Sequence, residues 1–348
     1  MPELVSLAEI STAASRLRGV AVRTPLVPFA GSVPSVPAVP ASGPLFIKPE
    51  SLQPTGAFKL RGAYNAVYAV TRDLGACSPP DGVVAHSSGN HGFAVAYAAR
   101  MLGVRAAIVV PENAPAVKTD AIAAAGAELI RVEPSLAARI AATDEIARTR
   151  GYHPVAPFDD RDVIAGQGTV GLEIAEDFTT GALREQKPPS AVLVPVGGGG
   201  LISGIAVAIK SLLPGTRVIG VEPELAADAR DSLRAGIRVA WTPAQTSRTR
   251  ADSLRVEQVG ELTFPHLREL VDDIVTVSDQ EMFDAIRRLA RQARLVAEPG
   301  GAAAVAAALS RDASDLGIDS GTVVAVLSGG NIDTDLLADI LTTESYNK

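Results

Sequence analysis

The stretch SLQPTGAFKLRGAY, at residues 51–64, places Lys59 between the apolar side chains of Phe58 and Leu60. An isolated lysine is usually a solvated surface charge. Apolar surroundings, however, desolvate an ammonium group and lower its pKa, so that the free amine can act as a nucleophile or a base. Lys59 is therefore a candidate catalytic residue, provided that another feature of the chain gives its amine a partner to react with.

Four consecutive glycines, at 197–200 within VLVPVGGGGLISGIAVAIK, form such a feature. They stand between a strand pattern and an apolar helix pattern, which favours a strand-to-helix turn over a flexible linker. Glycines let the backbone direct its N–H groups at one point, and the helix dipole adds to them, so the turn should bind an anion such as a phosphate. A dinucleotide fingerprint is the alternative, because Glu222 ends the next strand. The third position of that motif, however, requires glycine or alanine and is Ile202 here.

The lysine and the glycine turn explain each other if one cofactor carries both an aldehyde and a phosphate, as pyridoxal phosphate does. Two further segments, HSSGNHG (86–92) and VLSGGN (326–331), place small polar groups after predicted strands, where ligands bind in α/β sheets. Each of these segments alone could equally be an ordinary helix cap or turn. His91 alone would more often be a packed core histidine than a base.

The composition restricts the class of protein. The chain has 348 residues, enough for two lobes, and 47% of its residues are apolar. Its net charge of −7, without a basic run interleaved with aromatics, argues against a nucleic-acid partner. A single cysteine, Cys77, fits a reducing compartment. The longest apolar tract (301–309) is far short of the ~20 residues that cross a bilayer, and the N-terminus lacks a signal-peptide core. We therefore expect a soluble cytoplasmic protein with no membrane partner.

Short β-branched runs alternate with alanine-rich helical patterns along most of the chain. The predicted strands lie at 81–88, 105–111, 127–132, 191–196, 217–223 and 322–330. This alternation predicts an α/β protein with parallel sheets covered by helices on both faces. The proline-rich segment 31–44 and the segment 241–255 are predicted to be loops.

Five segments, in this order along the chain, make it similar to a known family: PTGAFKLRGA, HSSGNHG, VPVGGGGLISG, GVEP and LSGGN. They resemble the serine/threonine dehydratase (ammonia-lyase) and serine racemase family of pyridoxal-phosphate enzymes. The resemblance implies the tryptophan synthase β-like fold (fold type II), in which open twisted parallel sheets form two domains. We expect a large cofactor-binding domain of residues 1–72 and 159–348, a small mobile domain of residues 73–158, and a homodimer.

The resemblance also implies roles for individual residues. Lys59 would bind pyridoxal 5'-phosphate as a Schiff base, and Phe58 would pack against the ring. The other cofactor-binding residues would be Asn90 at the ring hydroxyl, Ser328 at the pyridine nitrogen, and Gly197, Gly198, Gly199, Gly200 and Leu201 at the phosphate. The substrate carboxylate would be received by Ser87, Ser88, Gly89, Asn90 and His91. A divalent cation such as Mg²⁺ would be held by Glu222, the Ala226 carbonyl and Asp228, although carboxylates after a strand are also common without a metal.

The implied reaction is β-elimination. The amine of Lys59 would remove the α-proton of L-threonine or L-serine, the β-hydroxyl would leave, and a 2-oxo acid and ammonia would result. The neutral hydroxyl of Ser328 at the pyridine nitrogen weakens the electron sink, which favours prompt elimination over transamination. Many threonine dehydratases carry alanine at the position of Ser88, whereas racemases carry serine, so a companion racemase activity stays open. Serine racemase and 3-hydroxyaspartate ammonia-lyase, or a lyase for another 3-hydroxyamino acid, are the alternatives.

Some positions depart from the family pattern. Ala57 replaces a common serine beside the lysine, and Ser253 in ADSLR stands where glycine is usual near the active site, which affects the substrate assignment. The chain ends soon after LSGGN, so we expect no C-terminal regulatory domain. A ligand-sensing relative without activity is disfavoured because both Lys59 and Ser88 are present.

Overall fold

Strands and helices alternate along the chain in the computed structural model, which describes residues 3–29, 43–73, 78–114 and 116–343. The strands are β1 (Val27–Pro28), β2 (Leu45–Pro49), β3 (Gly82–His86), β4 (Ala106–Pro111), β5 (Glu128–Val132), β6 (Tyr152–Pro154), β7 (Ala191–Pro195), β8 (Arg217–Pro223), β9 (Asp273–Val277) and β10 (Val323–Leu327). The helices are α1 (Leu7–Arg16), α2 (Lys59–Arg72), α3 (Asn90–Leu102), α4 (Ala116–Ala124), α5 (Leu136–Arg150), α6 (Arg161–Thr179), α7 (Gly200–Leu212), α8 (Asp228–Ala235), α9 (Pro243–Thr246), α10 (Thr263–Leu270), α11 (Asp279–Arg288), α12 (Pro299–Ser310) and α13 (Thr334–Thr342). Cys77 and the proline-rich segment, except its last two residues, lie outside the described residues.

The strands form two sheets. The larger sheet has six strands in the order β1-β2-β10-β7-β8-β9, and the smaller has four in the order β5-β4-β3-β6. Neighbouring strands are parallel throughout both sheets, as the sequence pattern predicts, except for the antiparallel pair of β1 and β2. The exception lies at the edge of the larger sheet, where a two-residue strand that contains Pro28 is tolerated.

All six predicted strands occur, each within three residues of its expected bounds. The pattern does not predict β2, because Lys48 interrupts its apolar run, nor the short strands β1 and β6. The strand β9 alternates only weakly in burial, and the pattern misses it as well. The predicted loop at 241–255 contains the short helix α9 and a 3₁₀ turn at Asp252–Leu254.

Helices cover both faces of the larger sheet, which explains why its central strands are apolar on both sides. On β10, Val323, Ala325 and Leu327 pack against α11 and α12, whereas Val324 and Val326 pack against α6 and α7. All five residues are buried, as expected for a central parallel strand. Loops at the carboxyl ends of these strands are therefore the accessible place for a ligand.

Among the described residues, no helix combines the length and the apolar character needed to cross a membrane.

A buried charge cluster, made of Lys48, Glu50, Arg61 and Glu173, fixes the first turn of α2. The Arg61 guanidinium is 1% exposed and donates to both Glu50 and Glu173, with its shortest bonds at 2.7 Å. Lys48 Nζ donates to Glu173 over 2.6 Å. Burial alone would lower the pKa of Arg61, but the two carboxylates raise it above its ordinary value. Since two acids and two bases balance, the cluster is a neutral anchor two residues away from Lys59.

Candidate active site

Lys59 is the first residue of α2 and is half-buried. Its Nζ atom donates a 2.6 Å hydrogen bond to the Pro157 carbonyl oxygen and lies 5.1 Å from the centroid of the Phe58 ring. Burial lowers the pKa of Lys59 to about 8, and the negative charge of Glu298 opposes part of that effect. About a tenth of the amine is therefore unprotonated at pH 7, far more than for a lysine of ordinary pKa, and the free amine can act as a nucleophile or a base.

The carboxyl end of β10 lies against the start of α2. The Phe58 N–H donates to the Ser328 carbonyl over 3.0 Å, and Ala57 forms a bridge with Gly329. The backbone turns into this contact at Gly56, whose φ of +71° suits glycine. Ser328 is 4% exposed. The structure thus brings Ser328 beside the residues that precede Lys59.

The glycine turn follows β7 and leads into α7, as the sequence predicts. Gly199 has a φ of +93°, and a Cβ atom on Gly198 would lie only 2.3 Å from the Phe158 ring. The Gly198 carbonyl accepts hydrogen bonds from Thr263 Oγ1 at 2.7 Å and from the Gly260 N–H at 3.3 Å. Since this carbonyl is engaged, and since the first N–H groups of a helix precede any intrahelical acceptor, the turn presents donors to an anion.

Pro157 and Phe158 bring the lysine and the glycine turn together. Pro157 accepts the hydrogen bond of Lys59, and Phe158 packs against Gly198 and Gly200. The acceptor of the amine's hydrogen bond and the residue that packs against the turn are therefore consecutive in the chain. The turn at the start of α7 offers the backbone N–H groups that a phosphate needs, and the amine has the pKa that Schiff-base chemistry needs. The residues therefore fit pyridoxal phosphate.

The segment 86–92 ends β3 and begins α3. The Gly89 N–H donates to Ser87 Oγ over 3.2 Å, Ser88 is half-buried, and a Cβ atom on Gly89 would have no neighbour within 4 Å. His91 is 4% exposed and pairs with the Val155 carbonyl over 2.9 Å. Burial, with the nearby charge of Lys59, lowers the pKa of His91 to about 3, so its ring is neutral. His91 can therefore offer a substrate carboxylate its backbone N–H but no positive charge.

Three residues near Lys59 were missed by the sequence analysis: Pro157, Phe158 and Glu298. Glu298 is 5% exposed and accepts a 2.7 Å hydrogen bond from Asn90 Nδ2. The signal in the sequence is AEPGG, an acid directly before the proline that begins α12. Ser253, the departure from the family pattern, lies beside the same helix start, with Oγ 2.2 Å from where a Cβ atom on Gly300 would be.

The residues predicted to hold a cation form a separate group at the carboxyl end of β8. Glu222 is fully buried and accepts hydrogen bonds from the backbone N–H groups of Ala229 and Arg230. Its pKa is raised well above the ordinary value by burial and by the charge of Asp228.

Asp228 is the more unusual member of this group. It is fully buried, and neither of its carboxylate oxygens makes a hydrogen bond to the described part of the chain. Burial raises the pKa of Asp228 to about 7, against a weaker opposing effect of the neighbouring N–H groups of Asp228 and Val259. Two buried carboxylates, one with unpaired oxygens, fit a hard cation. No cluster of three or more His, Cys, Asp or Glu suited to a metal occurs within the described residues. The third ligand that the family resemblance implies is the Ala226 carbonyl, a backbone group.

Comparisons with known proteins agree with this geometry. The family model described as "Pyridoxal-phosphate dependent enzyme" matches residues 18–329. The L-threo-3-hydroxyaspartate ammonia-lyase of Saccharomyces cerevisiae is 41% identical over 85% of this chain and 86% of its own length. The serine racemase of Oryza sativa subsp. indica is 39% identical over 85% and 84% of the two chains.

A solved structure agrees as well. The crystal structure of the T.th. threonine deaminase superimposes with a TM-score of 0.83 and 41% identity, over 94% of this chain and 99% of that one. The matches confirm the fold, the cofactor and the kinship with ammonia-lyases and serine racemases that the motifs predict. The chain therefore belongs to the family of pyridoxal-phosphate-dependent enzymes.

Proposed function

We propose that this chain is an ammonia-lyase that converts L-threonine or L-serine to a 2-oxo acid and ammonia. The observation that supports it most is the hydrogen bond from Lys59, whose pKa is about 8, to Pro157. Pro157 directly precedes Phe158, which packs against the glycine turn. Similarity to a threonine deaminase over nearly the whole chain supports the substrate class.

The proposal assigns the cofactor to the groups around this amine. Gly197, Gly198, Gly199, Gly200 and Leu201 would hold the phosphate, Phe58 and Asn90 would contact the ring and its hydroxyl, and Ser328 would face the pyridine nitrogen. When bound, pyridoxal phosphate supplies an electron sink for the charge that remains after the α-proton leaves. The hydroxyl of Ser328 is a neutral group, so it gives little help in protonating the ring nitrogen, and prompt loss of the β-hydroxyl is favoured.

The chain's own residues handle the substrate and its protons. The segment Ser87–His91 receives the substrate carboxylate through small hydroxyls and backbone N–H groups at the start of α3. Lys59 Nζ takes the α-proton. Because its pKa is about 8, both the free amine and the ammonium form of Lys59 are populated near neutral pH, as a group that takes and returns protons requires. The Pro157 carbonyl, which accepts the amine's hydrogen bond, fixes the direction from which the amine acts.

Racemisation is the second candidate activity, and Ser88 is the residue that favours it. Ser88 is half-buried, and the space beside the next residue, Gly89, is open. A hydroxyl at this position could return a proton to the substrate from the side opposite Lys59. The similarity to a serine racemase supports this role. The similarity to an L-threo-3-hydroxyaspartate ammonia-lyase supports a third possibility, elimination from a 3-hydroxy dicarboxylic amino acid.

The proposal includes the organisation of the molecule. Residues 73–158 would be the small mobile domain, which is supported by a four-stranded sheet built only from the contiguous strands β3 to β6. Residues 1–72 and 159–348 would be the large domain. A divalent cation would bind Glu222, the Ala226 carbonyl and Asp228, and the enzyme would act as a cytoplasmic homodimer with no nucleic-acid partner, in agreement with its net charge of −7.

The test is an assay of the purified protein with pyridoxal phosphate and a panel of 3-hydroxy amino acids in both enantiomers. Ammonia, 2-oxo acid and the chirality of the remaining amino acid are measured together. We expect ammonia and 2-oxo acid in equal amounts from L-threonine or L-serine. Release of neither product from any member of the panel would refute the lyase and leave the fold intact.

A further inference from the structure

Asn90 is held by a chain of hydrogen bonds that crosses from the smaller sheet to the larger one. Asn331, which follows β10, donates through Nδ2 to the Thr55 carbonyl over 2.8 Å and to Asn90 Oδ1 over 2.7 Å. Asn90, the first residue of α3, donates through Nδ2 to Glu298 Oε1 over 2.7 Å. The chain thus runs from Thr55 through both amides to the carboxylate.

This chain permits only one orientation of the Asn90 amide. A backbone carbonyl can only accept, so Thr55 fixes the nitrogen of Asn331 in place. That nitrogen can only donate, so it requires the oxygen of Asn90. An ionised carboxylate can only accept, so Glu298 requires the nitrogen of Asn90. Both neighbours of Asn90 therefore demand the same orientation.

The orientation has a consequence for the ligand. An amide nitrogen carries two hydrogens, and the bond to Glu298 Oε1 uses one of them. The second hydrogen of Asn90 Nδ2 is directed away from Glu298 and is left for another acceptor. A ligand oxygen beside Asn90 therefore meets a donor, which favours a ring oxygen in its deprotonated form.

The structure makes room for Glu298 at this position. Its side chain is 5% exposed, its N–H donates to the Gly329 carbonyl over 3.1 Å, and a Cβ atom on Gly329 would lie 2.6 Å from Glu298 Oε1. Gly329 follows Ser328 directly. Its lack of a side chain lets the carboxylate approach the end of β10, where it meets Asn90.

We propose that Glu298 is a positioning residue, which together with Asn331 fixes the amide of Asn90 with its nitrogen toward the ring hydroxyl of the cofactor. The inference rests on the proposed function only for the contact between Asn90 and that hydroxyl. It deepens the assignment, because it makes cofactor binding depend on a carboxylate through its hydrogen bond to Asn90.

Two substitutions at position 298 distinguish the role of Glu298 in orienting the Asn90 amide from the effect of its negative charge. Glu298→Gln keeps an acceptor oxygen for Asn90 and removes the charge, whereas Glu298→Ala removes the acceptor. Apo protein is titrated with pyridoxal phosphate, and the dissociation constant and the visible circular dichroism of the bound ring are recorded. We expect Glu298→Ala to weaken binding about tenfold and to change the dichroic band, as for the loss of one oriented hydrogen bond. Glu298→Gln should stay within about threefold of the wild type.

The matched control is Glu185→Ala, since the Glu185 side chain is 88% exposed and should affect neither measurement. Denaturant unfolding shows whether each variant is folded. If Glu298→Ala is not, Asn331→Ala replaces it, because it removes the other orienting bond and should change the band in the same direction.

Wild-type affinity and an unchanged band in Glu298→Ala, or in its replacement, would overturn the proposal, and so would equal losses in the Gln and Ala variants. Ammonia release by the wild type is measured alongside. A wild type that binds the cofactor without releasing ammonia would refute the lyase and not this inference. Turnover by the wild type with an unaffected Glu298→Ala would refute this inference and not the lyase.

Discussion

The amine of Lys59 and the carbonyl of Pro157 are joined by a 2.6 Å hydrogen bond between residues 98 positions apart in the sequence. Because Phe158 packs against Gly198 and Gly200, this bond connects the reactive amine to the glycine turn. The segment that joins β6 to α6 is therefore part of the active-site geometry, although it carries no reacting group.

Covalent attachment of the cofactor should depend on pH with a midpoint of about 8. Only the unprotonated amine attacks an aldehyde, and burial lowers the pKa of Lys59 to about 8 from 10.5. Mixing apo protein with pyridoxal phosphate across pH about 6–10 and following the absorbance gives the rate, which should rise through the midpoint and then level off.

The same experiment has two informative variants. Glu298→Gln should move the midpoint to lower pH, because the negative charge of Glu298 stabilises the ammonium form of Lys59. Lys59→Ala should leave no covalent adduct after borohydride reduction. A wild-type midpoint near 10.5 would show that the amine is solvated.

Gly198→Ala should impair both folding and cofactor binding. The new Cβ atom would lie 2.3 Å from the Phe158 ring, so the turn or the ring must move, at a cost of about 1–3 kcal/mol in the free energy of unfolding. Urea unfolding and cofactor titration measure the two effects. Gly215→Ala is the control, since a Cβ atom there meets nothing within 4 Å and its φ is not positive. Equal behaviour of the two variants would contradict the close packing of the turn.

Arg61→Ala should destabilise the protein by about 3–5 kcal/mol, because it leaves the buried carboxylates of Glu50 and Glu173 without their main partner. Denaturant unfolding measures the loss. In Arg148→Ala, which breaks an exposed pair with Glu145, the change should stay below about 1 kcal/mol. A loss at Arg61 as small as that at Arg148 would mean that the charge cluster does not anchor α2.

Magnesium or calcium should stabilise the protein if the buried carboxylates hold a cation. A cation at about 100 times its dissociation constant adds about 2.7 kcal/mol to the free energy of unfolding. Thermal unfolding with and without chelator measures the shift, which Asp228→Asn should abolish and the exposed Asp335→Asn should not. A shift that survives in Asp228→Asn would place the cation elsewhere.

Ser88→Ala should reduce any racemisation strongly and elimination less. Returning a proton from the face opposite Lys59 needs a second group there, whereas elimination removes the α-proton with Lys59 and returns none to the α-carbon from that face. Chiral chromatography of the unreacted substrate, with ammonia release as the reference, separates the two. Undiminished racemisation in Ser88→Ala would rule out Ser88 as the second proton carrier.

Local sequence signals predict part of this site and not the rest. The glycine turn can be recognised in the sequence because a strand pattern directly precedes it and a helix pattern directly follows it. Lys59 can be recognised because both of its neighbours in the chain are apolar. Glu298 reaches Asn90 across 208 residues and Pro157 reaches Lys59 across 98. No periodicity encodes such pairings, since they result from the packing of distant elements. The same reason hides β2, which is buried on both sides although it contains Lys48.

Strand β2, which precedes Lys59, pairs with β10. These two neighbouring strands come from opposite ends of the sequence that forms the larger sheet. During translation, the four strands of the smaller sheet emerge and can assemble from neighbouring segments while β2 is paired only with the two-residue strand β1. Residues 45–59 can complete their contacts only after β10 is synthesised, because β2 pairs with β10 and the Phe58 N–H donates to the Ser328 carbonyl. A nascent chain stalled ahead of Val323 would therefore expose one edge of an apolar strand to chaperones.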